Sequence, residues 1–488
     1  MNKLEKYFTP YRKNVIGNGY EFRTPYGIKK MIYADWAASG RLYRPIENKI
    51  SNVIGPYVGN THTTTTVTGT LMTGAYHESK QVIKDSVNAG KNDVLLSCGS
   101  GMTAAVNKLQ RVLGIRAPEK IRKMTHIPEK EKPVIFVTHM EHHSNQTSWL
   151  ETIGTVEIIQ PDKQGYVDLN NFENLLKKYK SRKTKIAAVT ACSNVTGIET
   201  PYYSIAGMIH RHGGLCFVDF AASAPYVTIN MNPAKPEEKL DAIYFSPHKF
   251  LGGPGSAGIL IFDSEIYKNK VPDHPGGGTV AWTNPWGEHQ YFSDIEERED
   301  GGTPPFLQTI KTALCFKLKE EMKVNFIRER EEELMNILFT HLKNLKGVEI
   351  LARSIEKRLG IISFYINGLH HSLAVKLLND HFGIQTRGGC DCAGTYGHYL
   401  LNIDKGKSHK ITSKIDKGIL LIKPGWVRIS IHPVMTNDEA NIFCDAITYI
   451  SKNYRKMSKD YYYDKRINDF FHKNFRGKES EEIKSWLQ

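Results

Sequence analysis

Residues 242–258 read AIYFSPHKFLGGPGSAG. Ala242–Phe245 is a short apolar run of the kind that fills a buried strand, and Lys249 follows it just before a glycine-rich turn. Working outward, the same texture recurs in DVLLSC (Asp93–Cys98), VIFVT (Val134–Thr138), IAAVTA (Ile186–Ala191) and LCFVD (Leu215–Asp219). Each run is bounded by Gly, Pro, Asn or Ser. Helical stretches lie between them, such as Met102–Leu113 and SIAGMIHRHG at 204–213. This alternation predicts βαβ units and an α/β fold with a mainly parallel sheet buried on both faces. Ligands of such sheets bind beyond the carboxyl ends of the strands. Lys249 and Asp219 both stand there.

After Pro305 the pattern changes. Residues 308–345 read as long helix broken once, followed by strands VEILA and IISFYI, a helix over Ser372–His381, strand WVRISI and a last helix opened by TNDE. In TNDE, Thr436 and Glu439 form a capping box. The expected organisation is an N-terminal segment at 1–32, a large domain at 33–307, a smaller α+β domain at 308–454 and an appended helical tail at 455–488. The N-terminal segment can add to the smaller domain. The basic insert APEKIRKMTHIPEKEKP (117–133) reads as a surface loop.

Composition narrows the function classes. Hydrophobic residues make up 40% and charged residues 24% of 488, which excludes wholesale disorder. Lys and Arg exceed Asp and Glu by 65 − 51 = 14. The basic residues alternate with acids, which reads as a solvated surface rather than a nucleic-acid stripe. The opening MNKLEKYFTPYRKN lacks the apolar core of a secretory signal, and apolar runs such as GILIF fall far short of the ~20 residues that span a bilayer. Seven cysteines in a chain this long do not make a disulfide framework. The expectation is a cytoplasmic protein with no membrane partner.

Three features together carry chemistry. Lys249 supplies an amine at a strand end, Asp219 in DFAASAP a carboxylate at another, and CGSGMT a glycine turn that opens a helix at Gly101 and Met102. Such a turn offers free N–H groups and a positive dipole end to a phosphate. A reactive lysine, a carboxylate for a ring nitrogen and a phosphate cradle are what pyridoxal 5'-phosphate requires. Bland readings stay open beside this one. Asp219 can be a helix cap, and His142 and His143 buried structural groups. Arg428 can be half of a structural ion pair, and Cys392 a packed thiol. No third ligand stands at metal spacing from the histidines or cysteines, so no metal is expected.

From about Tyr33, in YADWAASG, to about Tyr454 the sequence resembles the class V aminotransferase group of fold-type I pyridoxal-phosphate enzymes, and within it the cysteine desulfurases and selenocysteine lyases. That resemblance implies a role for each matching residue. Lys249 would form the Schiff base. Ser246, His248 and Thr103 would hold the phosphate with Gly101 and Met102, and Asp219 would face the pyridine N–H. His142, in EHHSN, would stack on the ring, and Asn194, in SNVTG, would contact the ring hydroxyl and the substrate. Thr303, in REDGGTP, would reach the phosphate of a neighbouring subunit, so a homodimer with shared sites is implied. Arg428, in VRIS, would clamp the α-carboxylate of a small amino-acid substrate. RGGCDCAG would place Cys392 as nucleophile. Apart from the resemblance, a free thiol is only a few per cent ionised at neutral pH, and Arg387 or His398 are the cationic groups that could lower its pKa. The group's loop usually carries one cysteine and this one has two, so Cys390 reads as an inert packed partner, a metal ligand or a resolving thiol, and the last is the expectation. The implied reaction takes sulfur or selenium from cysteine or selenocysteine, leaving alanine and a persulfide for a sulfur-acceptor protein. A lyase, epimerase or aminotransferase on another amino acid is the alternative, and a non-catalytic basic binding protein on the same fold is a third. Ala222 departs from the group's usual glutamine, three residues after the ring aspartate.

Overall fold

The computed structural model describes residues 2–124 and 126–488. Two compact units emerge. One holds Ser39–Ser193 and Ile198–Phe326; the other holds everything up to Ala38, Asn194–Gly197 and Ile327–Gln488.

The first unit is built on seven strands: β1 (Asp93–Cys98), β2 (Val134–Thr138), β3 (Thr155–Ile159), β4 (Lys185–Thr190), β5 (Leu215–Asp219), β6 (Ala242–Phe245) and β7 (Gly258–Asp263). Their order is β1-β7-β6-β5-β4-β2-β3. The pairs among β2 to β6 are parallel, and β7 is antiparallel to both β6 and β1. The mainly parallel sheet expected from the sequence is present, with one reversed strand. Because β7 is reversed against both neighbours, β1 points the same way as β6. The turn after Cys98 therefore leaves at the same end as Asp219 and Ser246. Register sharpens this, since Asp219 pairs with Thr190 on one side and Tyr244 on the other.

Helices cover the sheet through apolar stripes. Met102–Val112 buries Met102, Ala105, Val106, Leu109 and Val112, the three-and-four spacing of one helix face. Trp149, on helix His143–Leu150, is fully buried and stacks on Phe217 of β5 with ring centroids 6.2 Å apart. Truncating it to alanine would cost ~3–5 kcal/mol. The long helix predicted after Pro305 is two helices, Phe306–Met322 and Val324–Lys343, parted at Lys323, whose φ is +59°. The insert at 117–133 is not loop throughout: Glu119–Met124 is a short helix, and Thr125 lies outside the described residues.

The second unit has a four-stranded antiparallel sheet: β8 (Val348–Ile350), β9 (Ile361–Ile366), β10 (Arg387–Gly389) and β11 (Trp426–Ser430), in the order β8-β9-β11-β10. Helix His371–Phe382 connects β9 towards β10, helix Asn437–Met457 follows β11, and the second opens with the predicted capping box. Near the chain start, Ile32–Tyr33 pairs in parallel with Ile384–Gln385, and Arg12 grips Glu439 through two bonds of 2.8 and 2.7 Å. The tail corrects the sequence reading. The preceding helix runs on to Met457, but Tyr461–Asp464 and Asp469–His472 form an antiparallel hairpin, and helix returns after it at Glu479–Trp486. The tyrosines and phenylalanines of this stretch are strand formers. They pair across the hairpin as Tyr462 with Phe471 and Tyr463 with Phe470. Tyr461 also donates from its hydroxyl to buried Asp380 at 2.8 Å.

Candidate active site

In the large unit the predicted residues gather at one edge of the sheet. Asp219 ends β5, is 3% exposed, and accepts the Ala221 N–H at 2.8 Å. Burial lifts its carboxyl to about 6 although the positive charge of Lys249 pulls it down. Asp219 and the half-buried Lys249 therefore feel each other's charge. A protonated ring nitrogen would add a second cation and hold the carboxyl ionised. Ala222, in the turn after Asp219, is buried and has only a methyl group to present.

The phosphate end is assembled around Gly101. Gly101 is the N-cap of helix Met102–Val112 and has no side chain of its own to cap it. The Met102 N–H donates to Ser246 Oγ at 2.9 Å, which joins the helix start to the loop after β6. A Cβ added at Gly101 would lie 3.0 Å from Ser246 Oγ and 3.6 Å from the His248 ring. Burial and the Lys249 charge bring His248 down to about 4, so at neutral pH it meets an anion as a neutral hydrogen-bonding group. Thr103 is exposed and shares a 2.7 Å hydrogen bond with Ser144, whose N–H donates to His142 Nδ1 at 3.1 Å. Helix dipole, hydroxyls, neutral imidazole and an absent side chain make a cradle for an anion. With Asp219 and Lys249 beside it, the set fits pyridoxal phosphate.

Gly40 fixes this loop. Its N–H donates to the His248 carbonyl at 2.9 Å, and a Cβ there would fall 1.8 Å from the Phe250 carbonyl oxygen. Two further groups went unread in the sequence. Glu141, next to His142, is fully buried and accepts from the Thr138 hydroxyl, the Thr190 N–H and Asn145 Nδ2. Burial pushes it up to about 7 against those donors. Lys319 is buried with its amine on the carbonyls of Ala224 and Val227, in the segment after Asp219, and burial lowers it to about 7. Neither has a sequence signature. Thr303 lies exposed in the segment after helix Ile295–Glu299.

In the small unit the predicted residues form a second cluster. Arg428, on β11, has a 3% exposed side chain. Its Nη2 lies 2.8 Å from Asp35 Oδ1, and its Nη1 donates to the Asn194 carbonyl at 3.1 Å and lies 3.5 Å from Asp391 Oδ1. Arg387 also reaches Asp35, from its Nε at 3.1 Å. Asn194 donates from Nδ2 to the Asp391 carbonyl at 2.8 Å. Cys392 is exposed and Cys390 half-buried, both as free thiols. His398 makes its bonds with the Gly394 carbonyl at 2.7 Å and Ser408 Oγ at 2.9 Å, and Arg387 makes its bond with Asp35. Asp35 and Asp391 sit inside motifs singled out in the sequence, yet neither was read as functional.

Comparison with known proteins follows the same line. Residues 32–443 match the family described as class V aminotransferase. A probable cysteine desulfurase of Staphylococcus epidermidis is 27% identical over 372 residues, 75% of this chain and 84% of that protein. Another from Halalkalibacterium halodurans is 27% identical over 368 residues, 74% of this chain and 84% of that protein. Among solved structures, the apo cysteine desulfurase of Thermococcus onnurineus NA1 matches with a TM-score of 0.70 at 23% identity, covering 87% of this chain and 95% of that one. The S-sulfonic acid form of the Escherichia coli cysteine desulfurase CsdA matches at 0.67 with 21% identity, covering 86% and 94%. At those identities the structures speak for the fold. The family match spans most of the sequence, so the chain belongs to the class V aminotransferase family of pyridoxal-phosphate-dependent enzymes.

Proposed function

We propose that the protein is a cysteine desulfurase-like enzyme that transfers the sulfur of L-cysteine, or the selenium of selenocysteine, to Cys392. The observation that carries this reading is an exposed thiol at Cys392 on a tight turn beside the strand of Arg428. The relatives described as probable cysteine desulfurases support it.

Pyridoxal phosphate, when bound, supplies an electron sink that stabilises negative charge at the substrate Cα. Ser246, His248, Thr103 and the helix start at Gly101 and Met102 would hold its phosphate. Asp219 would keep its ring nitrogen protonated, His142 would cover the ring, and Asn194 would meet the ring hydroxyl and the substrate. Lys249 would hold the cofactor, and its amine Nζ is the base that would take the Cα proton. Arg428 receives the substrate carboxylate. The thiolate of Cys392 then forms an S–S bond with the substrate sulfur as the Cβ–S bond breaks and the electron pair stays on carbon. A proton from Lys249 Nζ or solvent completes the methyl group. L-Cysteine and one thiol become L-alanine and one persulfide, with no outside oxidant.

Cys390 is the resolving thiol in this scheme, since thiolate exchange moves sulfur readily once a persulfide exists. Thr303 serves the site of a second subunit in a homodimer, and an acceptor protein takes the sulfur. None of the seven cysteines forms a disulfide, as a reducing cytoplasm would keep them. Among the described residues no helix is long and apolar enough to cross a membrane. The test is alanine release across a panel of amino acids by the wild-type enzyme and Cys392→Ser. Release from L-cysteine that disappears in Cys392→Ser supports the reading. Turnover of another amino acid that is undiminished in Cys392→Ser would move it to a lyase, epimerase or aminotransferase.

A further inference from the structure

We propose that Asp391 is a built-in competitor for the substrate carboxylate on Arg428, and that its displacement by substrate releases the turn bearing Cys392. The inference rests on the reading of Arg428 as the carboxylate clamp.

Charge balance is the first argument. Asp35 and Asp391 face Arg428, and Arg387 shares Asp35, so two carboxylates meet two guanidinium groups. A pocket that awaits an anion needs one positive charge in excess. Removing Asp391 from the cluster creates that excess, and it equals the charge of one α-carboxylate.

Asp391 also holds its place poorly. Its side chain is fully buried, and Oδ2 accepts the Trp426 indole N–H at 2.6 Å. Oδ1 makes no hydrogen bond among the described residues and stays 3.5 Å from Arg428 Nη1. Arg428 Nε is likewise buried without a hydrogen-bond partner among them. A buried carboxylate and a buried guanidinium that meet without a full hydrogen bond leave each other under-satisfied. A bidentate carboxylate would take Arg428 Nε together with a terminal nitrogen and so give the unpaired Nε a partner.

The backbone links this exchange to the nucleophile. Asp391 and Cys392 have φ of +48° and +54°, consecutive left-handed positions that side-chain-bearing residues rarely adopt. They are held by the Ala393 N–H on the Cys390 carbonyl at 2.9 Å and by Asn194 on the Asp391 carbonyl. Once the Asp391 carboxylate leaves Arg428, one of the restraints on that strained turn is gone. Substrate binds the released state and not the held one, so capture of its carboxylate shifts the population toward a free thiol.

The test compares wild-type holoenzyme with Asp391→Asn and Asp391→Gly, both of which suit a left-handed position. L-Alanine binding is followed through the cofactor absorbance, with ethylamine as the same ligand without its carboxylate. If the competent state is roughly a tenth of the population, both variants should bind L-alanine about tenfold more tightly. Ethylamine binding should not change. Iodoacetamide should also alkylate Cys392 faster in the variants than in wild type, with no ligand present. Equal or weaker L-alanine binding in both variants would overturn the inference and leave the reading of Arg428 standing. If L-alanine binds no better than ethylamine to wild type and variants alike, the clamp reading falls and takes the inference with it.

Discussion

Replacing Gly101 by alanine would set a methyl group 3.0 Å from Ser246 Oγ and 3.6 Å from His248, in the space assigned to the cofactor phosphate. The backbone there has φ of 175°, which any residue adopts, so the fold should be untouched. Cofactor titration of the apoprotein should show binding about tenfold weaker, ~1.4 kcal/mol, with an unchanged melting temperature. Equal affinity would move the phosphate elsewhere. Asp391 makes a second prediction at this scale. Burial holds its carboxyl above the ordinary range although Arg428, Arg387 and the Trp426 N–H pull it down, and Asp35 adds to the rise. The neutral form does not compete for Arg428. L-Alanine binding should therefore tighten as pH falls through this raised pKa and weaken as pH rises through it. Asp391→Asn should remove that dependence, and a profile identical to wild type would count against the competition. Lys249, Asp219 and Cys392 were legible as single residues because motif and strand end coincide. Asp35, Asp391 and Glu141 were not, because burial next to a cation or a ring of donors depends on strands far apart in sequence.

The element that decides the site is the loop from β6 to β7, pinned where Gly40 donates to the His248 carbonyl. Gly40→Ala would force Cβ to within 1.8 Å of the Phe250 carbonyl oxygen, backbone that cannot move without shifting Lys249. A denaturant melt should show a loss of about 3 kcal/mol; a loss near zero would mean the loop is not fixed there. The capping box offers a calibrated contrast, since Thr436→Ala should cost about 1 kcal/mol and leave activity alone. The sequence showed these elements unevenly. Strands buried on both faces and capped helices announce themselves through apolar runs and caps. The tail hairpin did not, because Tyr461–Asp464 is flanked by lysines and aspartates that mimic a solvated helix. Its tyrosines find their partners only across the turn ending at Asn468, where φ is +55°.

For the whole molecule the proposal is a shared site. Thr303 is exposed in this chain, as a residue offered to a second subunit would be. Mixing Lys249→Ala and Thr303→Ala proteins should restore activity in part, since a heterodimer would contain one intact site. Strict absence of recovery would keep each site within one chain. The division into two units was only partly legible: the change of texture after Pro305 was visible, whereas the grouping of Asn194–Gly197 with the C-terminal unit comes from bonds such as Ser363 Oγ to the Val195 carbonyl at 2.7 Å. Sulfur transfer to Cys392 is the central claim, and one single-turnover experiment meets it head on. Holoenzyme is mixed with equimolar L-cysteine, quenched, and mapped by mass spectrometry while alanine is counted. One sulfur atom added to Cys392 for each alanine released, with both signals lost in Cys392→Ser and retained in Cys390→Ser, is the predicted result. Full alanine release by Cys392→Ser would contradict it.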